Sequence, residues 1–286
     1  MELLTLVLLL AIAVLVSAVI DRVVPRVSLP LIQVAMGVII ALFARGTIDI
    51  NLEPDVFLVL FIAPLLYLEA KDADKALLWR NKKPILSLAI GLVIVTTLII
   101  GFVLNAIVPS ISFAAAFALG AALGPTDAVA VTSLSKQVSI PERLWGILKG
   151  ELLLNDASGI VSFQFAIAAA ATGTFSLLEA STDFVIEFIG GLIFGAVLGY
   201  AANWILRRIR DIGIESTTFH VLYEICIPFV VYLFADAIHV SGIIAVVVAG
   251  LVNVIAPRTT SPNIAHMNIV SSSVWDVISF TLNGIL

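Results

Sequence analysis

The run Leu152-Leu153-Leu154-Asn155-Asp156-Ala157 sets an amide and a carboxylate in the middle of an otherwise apolar stretch. Placed in a membrane, Asp156 falls near the bilayer midplane at ~1.5 Å of helix rise per residue. A carboxylate there costs ~2.5–3.5 kcal/mol on insertion scales, and such residues are kept chiefly for ion pathways and proton relays. The bland alternative is a buried Asp bonded to a neighbouring helix for packing. A second polar group, Gly124-Pro125-Thr126-Asp127, lies at matching depth and favours the chemical reading. Pro125 removes a backbone donor and biases Gly124 away from helix. The expected result is a broken helix, whose freed carbonyls and partial charges can face a cation. Glu151 and Asn155 are four residues apart and share a helix face, with Asp156 on its flank. Glu69 adds a carboxylate at the end of an earlier apolar stretch, where it reads equally as a snorkelling side chain beside Lys71. Oxygen groups without sulfur or clustered imidazole suit a hard cation rather than zinc or copper.

The elements that position these groups follow from composition. The chain is 61% hydrophobic and 12% charged, with a mean hydropathy of +1.15. Soluble domains carry about 25% charged residues, so the fold class is an all-α polytopic membrane protein. Stretches able to cross ~30 Å of hydrocarbon fall at 3–20, 29–44, 54–70, 85–108, 112–134, 144–171, 184–206, 217–235, 240–256 and 268–286. That predicts about ten transmembrane helices, the fifth discontinuous. Of the 15 basic residues, all but Arg45 fall in alternate loops or beside them. The positive-inside rule makes that side cytoplasmic and the N-terminus external, in a multi-pass plasma-membrane protein. No basic region precedes Leu3–Ile20, so the first stretch reads as a retained span rather than a signal peptide. Residues 71–84 form a short cytoplasmic connector. The end of the chain inside an apolar stretch reads as a fragment or truncated product.

Other features carry less. Cys226 reads as a small core residue. His220, His239 and His266 read as interfacial or packing residues, while Glu224 and Asp276 could touch an ion pathway. Gly190, Gly191, Gly195 and Gly199 permit close helix approach, within the chain or across a dimer. No cofactor motif and no nucleic-acid-binding pattern is present.

The segments Gly-Pro-Thr-Asp-Ala-Val-Ala-Val at 124–131, Gly-Glu-Leu-Leu-Leu-Asn-Asp-Ala-Ser at 150–158 and Ala-Pro-Leu-Leu-Tyr-Leu-Glu-Ala at 63–70 resemble the monovalent cation:proton antiporters of the NhaP/NHE type. The resemblance implies an inverted-repeat antiporter fold and a homodimer. It divides the chain into scaffold and dimerisation spans at 1–70, ion-binding core at 85–171, and a linking span with further scaffold at 172–286. It makes Asp156 the carboxylate that holds a cation or a proton in turn. Thr126 contributes oxygen, Asp127 supports the helix cross-over, Glu69 shapes the approach, and Glu151 and Asn155 hold the helix bundles in register. The Asn-Asp pair implies electroneutral exchange of Na+, or Li+ or K+, for H+. Leu152 departs from the family's usual Ser and removes a hydroxyl from the face of Asp156. The competing readings are a non-transporting truncated or degenerate paralogue, a K+/H+ exchanger, a cation channel and an intramembrane aspartyl hydrolase using Asp127 and Asp156.

Overall fold

The computed structural model describes residues 2–24, 27, 29–43, 53–125, 140–172, 177–213, 216–253 and 262–286. The elements among the described residues are all helices, with α4 inside the expected connector: α1 (Glu2–Val23), α2 (Leu29–Phe43), α3 (54–72), α4 (Lys75–Arg80), α5 (Lys82–Ile107), α6 (Phe113–Leu123), α7 (Glu142–Thr172), α8 (Leu177–Asp211), α9 (Thr217–Ala237), α10 (Gly242–Asn253) and α11 (Pro262–Ile285). Among the described residues, 82–107, 185–211 and 217–237 are long and apolar enough to cross a bilayer by length and composition. The 12 residues of α10 span about 18 Å at 1.5 Å per residue, short of the hydrocarbon thickness.

Local chemistry explains several boundaries. Ser112 caps α6, its side chain accepting from Ala115 N–H at 3.2 Å. At the far end Gly124 N–H donates to Ala121 O at 3.3 Å, a tightened last turn. Pro125 has no N–H to continue the ladder. The expected interruption of the fifth span therefore begins after Leu123; its continuation through 126–134 lies outside the described residues. The connector is not plain loop. Asp74 caps α4 by accepting from Leu77 N–H at 3.1 Å, and Arg143 of α7 donates to Asn81 Oδ1 at 3.4 Å. Each of α3 and α5 contains one π-helical turn, Leu58–Ile62 and Ser87–Leu92.

The chain divides into two compact units. Unit 1 comprises residues 1–65, 215–224 and 259–286. Within it α11 packs on α1 and α2, closely enough that a Cβ on Gly284 would lie 2.7 Å from a Val14 methyl.

Unit 2 comprises residues 66–214 and 225–258 and holds α4–α8 and α10. Its helices meet through glycines. A Cβ on Gly195 would lie 2.3 Å from Ala245 O, and one on Gly199 3.0 Å from Ala249 Cα. Residue numbers rise together along this contact, so α8 and α10 run parallel. Along α5 and α6 they run oppositely: Gly101 meets Phe117, and Thr97 meets Gly120. The small residues of the seventh span thus serve packing inside this chain. Cys226, expected in the core, is exposed instead.

Candidate functional site

The site is built on α7. Gly146 and Gly150 let its first turns sit against α4 and the start of α5: a Cβ on Gly146 would lie 2.1 Å from Leu77 Cδ2, and one on Gly150 2.6 Å from Ile85 Cδ1. Further along, Leu154 and Ala157 line a small apolar cleft with Ile90 of α5, Phe188 and Leu192 of α8 and Val247 of α10. These contacts make one side of α7 mostly apolar, with Ser158 at its border on the same cleft, and leave the other for polar groups.

That other side carries two adjacent stripes. Glu151 and Asn155 are 6% and 1% exposed, and Asn155 Nδ2 donates to Glu151 Oε1 at 2.9 Å. The expected i,i+4 pair is therefore formed. Ser158 and Ser162 continue the stripe, each donating to the carbonyl four residues back at 2.8 and 2.7 Å. The second stripe is Leu152, Asn155, Asp156 and Gly159, which share a face by i, i+3, i+4, i+7 spacing. Leu152 is buried at 7% exposure, and Asp156 is half-buried.

Gly159 brings the end of α6 to this face. A Cβ there would lie 2.3 Å from Pro125 Cγ and 3.5 Å from Ala121 O. The end of α6 thus rests on α7 one turn from Asp156. Thr96 of α5 stands on the other side of the break, its hydroxyl 3.2 Å from where a Gly124 Cβ would be. That hydroxyl donates locally to Leu92 O or Val93 O, at 2.8 and 3.0 Å. Of the residues read from sequence, the structure gathers Gly124, Pro125, Glu151, Leu152, Asn155 and Asp156. Thr126 and Asp127 lie outside the described residues. Glu69 is exposed on α3 and makes no hydrogen bond or ion pair among the described residues. Gly159 and Thr96 were not singled out from sequence. The spacing of Gly159 from Asn155 and Asp156 is visible there, but its partner is not.

Chemically, a half-buried carboxylate can take a proton or a cation. A neighbouring helix end offers carbonyl oxygens and partial charges.

Helices of this arrangement, around a polar helix face and a helix end, define a multi-pass membrane protein of the ion-transporter class. The fold is similar to that of the sodium proton antiporter MjNhaP1 from Methanocaldococcus jannaschii, with a TM-score of 0.72 at 18% identity over 100% of this chain and 71% of that one. Within that class this chain belongs to the sodium/hydrogen exchanger family, whose transmembrane model matches residues 6–286. It is 45% identical over 270 residues to a "Sodium, potassium, lithium and rubidium/H(+) antiporter" of Bacillus pumilus (strain SAFR-032), covering 94% of this chain and 40% of that protein. It is 43% identical over 286 residues to the antiporter of the same name in Bacillus subtilis (strain 168), covering 100% and 42%. The chain thus spans less than half the length of these curated relatives. The family is one of transporters, not of enzymes.

Proposed function

We propose that this chain carries the ion-binding part of an antiporter that exchanges a monovalent cation for H+ across the plasma membrane. The observation that carries the reading is the seating of Pro125 on Gly159. It puts a helix end one turn from Asp156, while the Glu151–Asn155 bond holds the adjoining stripe. Asp156 takes a proton or a cation in turn. Thr126 and the carbonyls of the break supply further oxygen, Asp127 supports the break, and Glu69 lies on the approach. Competition for one carboxylate couples the two ions without a second cation site.

In this reading the chain has ten spans, its basic loops are cytoplasmic and its N-terminus external. Residues 85–171 form the core, 1–70 and the later spans form scaffold and linker, and the intact protein is a homodimer. Exchange is one for one and moves no net charge. A membrane voltage, worth ~2.3 kcal/mol per charge per 100 mV, then leaves the equilibrium unchanged.

Sodium is the favoured cation, and a broader monovalent range is the second reading. Two observations support breadth: the names of the Bacillus relatives, and Leu152, which places a branched alkane on the face of Asp156 where the family usually has a hydroxyl. A non-transporting paralogue is the alternative to both.

The test uses the intact protein in everted vesicles with a pre-formed pH gradient. Addition of sodium, lithium or potassium should collapse the gradient. A well-inserted protein that responds to none of them overturns the antiport reading in favour of the non-transporting one. A current that follows the sodium gradient overturns the stoichiometry.

A further inference from the structure

Away from α7, three buried polar side chains meet in unit 1. His220 and Glu224 lie one turn apart on α9 at 3% and 6% exposure, and Ser271 on α11 is 1% exposed. His220 Nε2 stands 3.4 Å from Glu224 Oε1. Ser271 Oγ donates a hydrogen bond to the other carboxylate oxygen, Glu224 Oε2. The indole of Trp275, 1% exposed, follows one turn later on α11. None of these residues lies in the family motifs or in the proposed ion site.

We infer that His220, Glu224 and Ser271 form a second proton-binding site, which ties α9 to α11 and exchanges its proton independently of Asp156. The inference stands whether or not the protein transports ions. A buried carboxylate or imidazolium alone is unfavourable, but the pair with one proton is neutral overall. The Ser271 hydroxyl donates to one carboxylate oxygen of Glu224 and His220 stands at the other, so a shared proton lies between Glu224 and His220. The place of His220 in the first turn of α9 sets the helix dipole against a cation. Glu224, one turn on, is the acidic group placed to offset this. Loss of that proton leaves the buried cluster negatively charged, and a second proton leaves it positively charged. Either change charges the contact between α9 and α11, which makes the packing of the two helices sensitive to pH.

Among the described residues the rest of unit 1 adds few charged or titratable groups, with Glu2 at the start of α1 and His266 on α11 among them. The α2 helix has no charged residue, and α1 brings Asp21 and Arg22 near its C-terminal end. The described part of α3 in this unit, together with the residue before it, brings the exposed Glu53 and Asp55, and α11 brings the exposed Asp276. On α9 itself Tyr223 is half-buried, its ring stacked on Phe219. The cluster lies at the end of α9 that follows the basic run Arg207, Arg208 and Arg210.

The test is direct titration of His220 by carbon-13 resonance in the intact, histidine-labelled protein, over about pH 5 to 10. His220→Gln assigns the signal. Glu224→Gln should lower the proton affinity of His220 about tenfold, or one pH unit. Ser271→Ala should move it less, and Asp156→Asn should not move it. A wild-type His220 that does not titrate in this range overturns the inference. So does a midpoint in Glu224→Gln within about 0.2 units of wild type. If Glu224→Gln does not fold, Ser271→Ala decides: a shifted midpoint supports the site and an unmoved one overturns it.

Discussion

Two helix contacts in unit 2 depend on glycine, and they do different work. Between α8 and α10, Gly195 and Gly199 press on the backbone at Ala245 and Ala249. Both helices are continuous there, and Ala245 and Ala249 are buried at 0% and 1% exposure. Small residues facing one another in this way gain van der Waals contact along a shared axis. Between α6 and α7, Gly159 meets the ring of Pro125 at the point where α6 ends. Its helical neighbours are Asn155 and Asp156, and Asn155 is already engaged with Glu151. The first contact is a parallel seam between continuous helices, in which Asn203, one turn past Gly199, donates to Val252 O at 3.4 Å. The second brings an interrupted backbone to a carboxylate. Glycine signals close approach in both, and what sets the second apart is a carboxylate, Asp156, one turn away.

The sharpest break in the comparison is Asp156→Asn. It keeps the shape of the second contact and removes the charge. Cation-driven collapse of a pH gradient by the intact protein should fall at least about 100-fold, roughly 2.7 kcal/mol at tenfold per 1.36 kcal/mol. Retained exchange would move the carrier role to Asp127 or Glu69. The corresponding change at the first contact is Gly195→Ala. Its Cβ would meet backbone at 2.3, 2.6 and 2.8 Å, all on Ala245, which no rotamer can relieve. Overpacking of this kind costs about 1–3 kcal/mol, so the midpoint of thermal unfolding in detergent should drop. Exchange per folded molecule should stay as in wild type; an altered ion order would show that the seam takes part in transport.

Gly159→Ala tests the same idea from the other side. The clashing atom is Pro125 Cγ at 2.3 Å, the tip of a ring at a chain bend, and it can give more readily than backbone. Stability should change less than in Gly195→Ala. A shift of the helix end relative to Asp156 should nonetheless slow exchange about tenfold, since small misplacements near reacting groups are costly. If Gly159→Ala unfolds the protein as readily as Gly195→Ala while the folded fraction exchanges normally, the two contacts do not differ as argued.

What could be read from the sequence divides along the same line. The Glu151–Asn155 bond was legible because both partners lie on one helix at a fixed spacing. The stop after Leu123 was legible from Gly124 and Pro125. The glycines of α8 announced a close contact, but their partner lies some fifty residues on, at Ser241–Ala249, and nothing local selects it over a second copy of the chain. The seating of Pro125 on Gly159 was hidden for the same reason. His220 and Glu224 are one turn apart and visible as a pair. What makes them a buried site is Ser271, on another helix, and burial by tertiary packing is not a local property. The connector misled in the opposite way: its charges suggested loop, yet Asp74 supplies a cap for α4 and the leucines of α4 pack on Gly146 and Gly150.

The smallest expected effect concerns Leu152, which shares the face of Asp156 and Gly159 but touches the question of which ion rather than whether. Leu152→Ser restores a hydroxyl one turn before the carboxylate. Removing a buried leucine side chain costs stability, about 2–5 kcal/mol for a change to Ala, so exchange must be compared per folded molecule. On that basis the ratio of sodium to potassium response should rise by a few-fold, about 0.6–1 kcal/mol at tenfold per 1.36. An added oxygen replaces water or a carbonyl in the shell of the smaller, more strongly hydrated ion. If the order of the three cations is unchanged, selection lies with the oxygens of the helix break, and the stripe from Leu152 to Gly159 only holds Asp156 against it.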